Sequence, residues 1–193
     1  VYTPDEPELA PSAQTDARLL VRILPPPEAK RFAPRAFTSW AEVAAWDLAL
    51  NANQCDTSPE LVAKARELTA TSADPLAKIR AVCGYVQKLR YVAINEGLRA
   101  GRGYQARKAS LVFARGFGDC KDKANLLRAM LREVGVTAFM VSAYSGEGYE
   151  IVEACPTPRQ FNHAILAMAV DDAVQLPTVV ATEKHGRLLF FDP

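Results

Sequence analysis

At Gly135 the spacing of apolar residues changes, and that change constrains the fold more than any other feature of the chain. From Ser39 to Val134 apolar side chains recur mostly at three- and four-residue intervals, the pattern of helices. After it, Val136 to Ala143, Ala164 to Val170 and Leu188 to Phe191 are short apolar runs separated by loops or turns, the pattern of strands. Helices first and strands later predict an α+β fold, with an antiparallel sheet packed on the last helix.

Three helix starts stand ahead of that point. Ser39 with Glu42 three residues on has the form of a capping box, in which two side chains satisfy the first free backbone N–H groups. Trp40, Val43, Ala44, Trp46, Leu48 and Leu50 follow, so a helix is expected over about 40 to 52. Ser58-Pro59 and Asp74-Pro75 each set a cap residue before a proline at the first helical position, where the missing N–H costs nothing. They predict helices over about 59 to 71 and 75 to 89. In the latter, Leu76, Ile79, Val82, Cys83, Val86 and Leu89 form one stripe, which makes Cys83 a core residue. A fourth helix begins after Asp119, carries Ala124, Leu127, Met130, Leu131 and Val134, and ends at Gly135 in the position of a left-handed cap.

A chain of 193 residues with 49% apolar content can build one well-cored domain. Charge is balanced, 23 basic against 22 acidic residues, so no net field draws the chain to nucleic acid or to an anionic membrane surface. No stretch approaches the roughly 20 apolar residues of a membrane-spanning helix. The cysteines at 55, 83, 120 and 155 include no CxxC pair, so neither a zinc site nor a dithiol redox centre is expected, and no cofactor is implied. Cys55 and Cys155 lie in loop-like surroundings, where pairing stays open.

Residues 1 to 36 hold many of the 13 prolines, among them Pro25-Pro26-Pro27, and one strand-like run at Leu19 to Leu24; they read as an extended linker or arm. Tyr91 to Ile94 is strand-like. Gly97, Gly101 and Gly103 then mark a long flexible crossing of the kind that borders a site. That crossing matches neither a Walker motif nor a GxGxxG opening a helix, which excludes a phosphate cradle. The chain opens at Val1 rather than Met and stops two residues after a strand-like run, so it reads as a piece of a larger protein.

Chemistry concentrates at Cys120. A thiol attacks as thiolate, and a helix N-terminus favours the anion through its free N–H groups and aligned peptide dipoles. Asp119 is the natural cap and Asp122 its reciprocal partner, so both read as caps rather than as catalysts. An imidazole is needed to take the thiol proton and return it to a leaving group. The chain has two histidines. His185 sits in the turn-like Glu183-Lys184-His185-Gly186, whereas His163 opens a strand-like run after a polar stretch. On the residues alone His163 is as well read as a structural group. Asp192 ends the Leu188 to Phe191 run, and alone it reads as a strand-ending turn residue; beside His163 it could accept the second imidazole N–H.

The run Gly118-Asp119-Cys120-Lys121-Asp122-Lys123-Ala124, with Leu126, Leu127, Leu131 and Gly135, resembles the nucleophile helix of the bacterial transglutaminase-like superfamily. Phe161-Asn162-His163 and Phe191-Asp192-Pro193 resemble its second and third motifs, and Phe37 to Trp46 its lead-in helix. The resemblance covers roughly residues 36 to 193 and implies a papain-like core with a Cys120, His163, Asp192 triad. It further implies a catalytic domain over 37 to 193 in a larger multidomain bacterial chain, after a β-rich domain, with the periplasm or cell envelope favoured. Many relatives carry proline where this chain has Ala106, which leaves the path of that loop open.

The function implied is acyl transfer from a peptide or glutamine-type amide of a protein or peptide substrate, through a thioester, with water or an amine resolving it. The backbone N–H of Cys120 is one oxyanion donor by analogy, and Gln105 or Tyr104 is the candidate for the second. The alternative is a non-catalytic binding module on the same scaffold. A calcium-dependent cross-linker finds no support, since no acidic loop of alternating Asp or Asn is present.

Overall fold

The computed structural model describes residues 37–93, 103–147 and 150–193. The expected arm over 1 to 36, with its run at Leu19 to Leu24, and most of the glycine-rich crossing, Gly97 and Gly101 included, lie outside the described residues.

Helix α1 spans Trp40–Asn51, α2 Pro59–Thr69 and α3 Pro75–Gln87. Each starts at its expected cap: Ser39, Ser58 and Asp74 accept backbone N–H bonds from the first turn of the helix they open. At α1 the Glu42 carboxylate accepts the N–H of Thr38 at 2.7 Å, one residue earlier than the capping box predicts. Of the apolar residues of α1 only Val43 is fully buried, and Leu48 stays 66% exposed. The helix lies beside a groove of about 570 Å³, lined among others by Val43, Asp47, Leu48, Met140 and Phe161, which keeps its apolar side incompletely covered.

Strand β1, Arg90–Tyr91, pairs in parallel with β2, Phe117–Gly118, after a short helix α4, Ala109–Arg115, that the apolar pattern did not reveal. No side chain of its own sequence caps α4. Asp56, far back in the chain, does so instead, accepting the Ser110 N–H at 3.1 Å and the Ser110 hydroxyl at 2.7 Å.

Helix α5, Cys120–Glu133, is the axis of the fold. It ends as expected, with Gly135 at φ 83°. The N–H groups of Val136 and Gly135 return to the carbonyls of Leu131 and Arg132, the bonding of a Schellman cap. Four strands follow: β3 Ala138–Ala143, β4 His163–Val170, β5 Val179–Thr182 and β6 Gly186–Phe191. They form one antiparallel sheet in the order β3-β4-β6-β5. Strand β5 was not expected; its four residues are too few to show a period. Leu126, Leu127, Met130 and Leu131 of α5 pack between Leu166, Met168 and Leu189 of the sheet and Leu61, Ile79, Val82 and Val86 of α2 and α3. Burial of such side chains contributes roughly 1.5–3 kcal/mol each before conformational entropy is set against it.

Candidate active site

The N-terminus of α5 is tied down before any chemistry is considered. Asp119 caps it: its Oδ1 accepts the Asp122 N–H at 3.2 Å, and Asp122 Oδ2 accepts the Asp119 N–H at 3.4 Å. Asp122 is fully buried and also accepts the Arg107 N–H at 2.7 Å and the Arg107 guanidinium at 2.8 Å. Lys121 pairs with the Asp119 carboxylate. Gly118 leaves room for this packing, since a Cβ there would stand 2.6 Å from the Asp122 Cβ. Cys120 is thus the first residue of a rigidly capped helix, half-buried, with dipoles aimed at its thiol.

His163 is the first residue of β4, in register with Ala143. Asn162 holds it there, because its side-chain amide donates to Ser145 O at 2.9 Å, accepts the Ser145 N–H at 2.7 Å, and its own N–H donates to Ala143 O. Gln160, buried, braces the preceding turn through Val152 and Cys155. Strand β6 pairs with β4 as far as Phe191 opposite Leu166. Asp192 follows and lies diagonally across from His163, a spacing side chains bridge. The imidazole Nε2 meets Asp192 Oδ2 at 2.8 Å. Nδ1 is left as the ring nitrogen for a second proton.

Lys123, one turn beyond Cys120, is buried; its Nζ donates to Gln87 O at 3.4 Å, and the Gln87 side chain donates to Asp192 O at 3.5 Å. Burial lowers the Lys123 ammonium from its ordinary value, and the Asp192 carboxylate partly opposes that. The ends of α3, α5 and β6 meet in this cluster.

Of the two candidate oxyanion donors, the Gln105 amide is bonded to Leu50, its Nε2 donating to Leu50 O at 2.8 Å, and the Tyr104 ring packs 5.4 Å from that of Trp46. A residue the sequence reading did not single out stands beside the turn that carries the nucleophile: Tyr91, paired in parallel with Gly118, two residues before Cys120. Burial first, then the charges of Cys120 and Asp119, push the phenol upward. The signal for it was thin, since the two strands that hold Tyr91 beside Gly118 are two residues each. Cys55, Cys83 and Cys155 are free thiols, and His185 lies in the turn between β5 and β6.

The sequence model of the transglutaminase-like superfamily matches residues 62–174, more than half of the chain, and takes in Cys120 and His163. Comparison with curated proteins finds no significant match. A crystal structure from Parabacteroides distasonis, described as that of a "putative protease", superposes with a TM-score of 0.50 at 20% identity. The likeness, one of fold, covers 64% of this chain and 24% of that one, so the chain spans about a quarter of its neighbour's length. With α5 packed on an antiparallel sheet and a family match across its core, the chain belongs to the transglutaminase-like superfamily.

Proposed function

We propose that this domain is a thiol acyl-transfer enzyme acting on peptide or glutamine-type amides. Cys120 attacks the carbonyl carbon, His163 takes the thiol proton and hands it to the leaving amine, and Asp192 accepts the Nε2–H and stabilises the imidazolium. Water or an amine then resolves the thioester. The observation that supports this most is the 2.8 Å contact of His163 Nε2 with Asp192, which favours the Nε2–H tautomer and leaves Nδ1 to serve a thiol. The main-chain N–H of Cys120 serves as one oxyanion donor. Hydrolysis is the default outcome because water is always present, and cross-linking requires an amine to reach the acyl-enzyme first. The working unit is residues 37 to 193, since α1 is joined to the His163 segment through Trp40, whose ring lies 5.7 Å from Phe161 and whose Nε1 donates to Glu153 O. Residues 1 to 36 would then connect it to the rest of a longer chain.

Iodoacetamide tests the activated thiol. At pH 6 Cys120 should react at least about tenfold faster in the wild type than in His163→Ala, because in the proposed mechanism the imidazole takes the thiol proton. Equal rates sink the reading. A glutamine-containing protein supplied with a labelled amine and read by mass spectrometry then separates the two outcomes: ammonia without label marks hydrolysis, and label uptake marks cross-linking.

A further inference from the structure

We propose that Gln87 and Lys123 are positioning residues that hold Asp192 against His163 and tie that pair to the helix carrying Cys120. The assignment rests on the acyl-transfer reading above. Three contacts in series carry it: Lys123 Nζ donates to Gln87 O at 3.4 Å, Gln87 Nε2 donates to Asp192 O at 3.5 Å, and Asp192 Oδ2 meets His163 Nε2 at 2.8 Å. Lys123 lies on α5 three residues after Cys120, so the series starts on the nucleophile helix and ends at the imidazole.

Asp192 needs such a support. The ladder between β4 and β6 ends at Phe191 opposite Leu166, so the sheet stops fixing the backbone one residue before Asp192, whose side chain is 63% exposed. A carboxylate on a loosely held backbone samples many orientations, and few of them meet an imidazole. Gln87, the last residue of α3, reaches the Asp192 carbonyl from outside the sheet and supplies the hold that the ladder does not.

Lys123 anchors Gln87 in turn. The last carbonyls of a helix lack intrahelical donors and carry the negative end of its dipole, which a cation offsets. The last turn of α3 holds no basic residue, and Lys123 brings the cation from the neighbouring helix. Lys123 is buried, a setting in which an ammonium without an acceptor would be costly. The Asp192 carboxylate offsets part of the effect of burial on that ammonium, so the two charges lie within each other's field. Both bonds to Gln87 are long, and the effect of losing one is therefore set below that of losing the carboxylate itself.

The test has a spectroscopic arm and a kinetic arm, both on the full chain. Ring-nitrogen NMR of His163 in its neutral form, with His185→Gln removing the other histidine signal, reads how fully the Nε2–H tautomer is populated. Gln87→Leu and Lys123→Met should each move that population from the wild-type value toward the one seen in Asp192→Ala. In single-turnover acylation of Cys120 by p-nitrophenyl acetate, Gln87→Leu should cost about tenfold in the wild-type background and less than about twofold in Asp192→Ala. Gln87 is exposed, so Gln87→Leu leaves the core as it is and decides alone if Lys123→Met unfolds. A tautomer population and acylation rate unchanged in Gln87→Leu overturn the proposal. An equal loss in both backgrounds also overturns it, because Gln87 then acts other than through Asp192. A folded Lys123→Met that matches the wild type in both arms overturns the part given to Lys123. Wild-type acylation no faster than that of Cys120→Ala would bring down the acyl-transfer reading, and the tautomer arm, which needs no turnover, would still decide whether Gln87 holds Asp192 to His163.

Discussion

Asp192 keeps 63% of its side chain in solvent and still holds His163 Nε2 at 2.8 Å. Little of the fold depends on that carboxylate, yet the proposed chemistry does, because it carries the charge that balances an imidazolium. Asp192→Asn should therefore lower the turnover of p-nitrophenyl acetate by on the order of 10²-fold or more. The melting temperature should move by about 2 °C or less, as for an exposed substitution. Turnover near that of the wild type, measured beside the melt, would remove Asp192 from the mechanism. Phe191-Asp192-Pro193 was legible as a motif, but its place beside His163 was readable only on the condition that their two strands pair, as β4 and β6 do. The position of Tyr91 beside Gly118 was not legible, because that parallel pairing is too short to leave a period.

At the scale of elements, the start of α5 carries the site, and Asp122 carries the start of α5. It caps the helix and neutralises Arg107 from a fully buried position. Asp122→Ala leaves the guanidinium without its carboxylate and the cap half made, so unfolding in urea should show a loss of about 3–5 kcal/mol. A loss under about 1 kcal/mol would mean that Arg107 finds solvent instead. The sequence carried this element well, as it carried α2, α3 and the cap at Gly135, because those ends are written in adjacent residues. It did not carry α4, whose cap is Asp56, nor the path through Gln105 and Ala106. That path is held by Leu50 O and by Asn51, whose Oδ1 accepts the Ala106 N–H at 2.9 Å. Contacts between distant segments leave no local pattern.

Stability belongs to the whole molecule, and Cys83 gives it a pH dependence. Burial pushes that thiol up to about 12 from its ordinary 9.0. Between those values the unfolded chain has released a proton that the folded chain retains, so rising pH favours unfolding; below 9 both forms keep the proton and nothing changes. Above pH 9 the contribution of Cys83 should fall by up to about 1.4 kcal/mol per pH unit. Urea titrations of the wild type and Cys83→Ala check this: the difference between them should shift against the wild type as pH rises, and a constant difference refutes it. The geometry of the ends has a practical side. Trp40 leans on Phe161, two residues before His163, and Asp192 reaches His163 from the opposite end of the described chain. An affinity handle or fluorescent partner fused after Pro193 would be separated by one residue from the imidazole's partner and crowd that pair. The exposed turn at Glu183 and Lys184, on the far side of β6 from Asp192, is the better place to attach one.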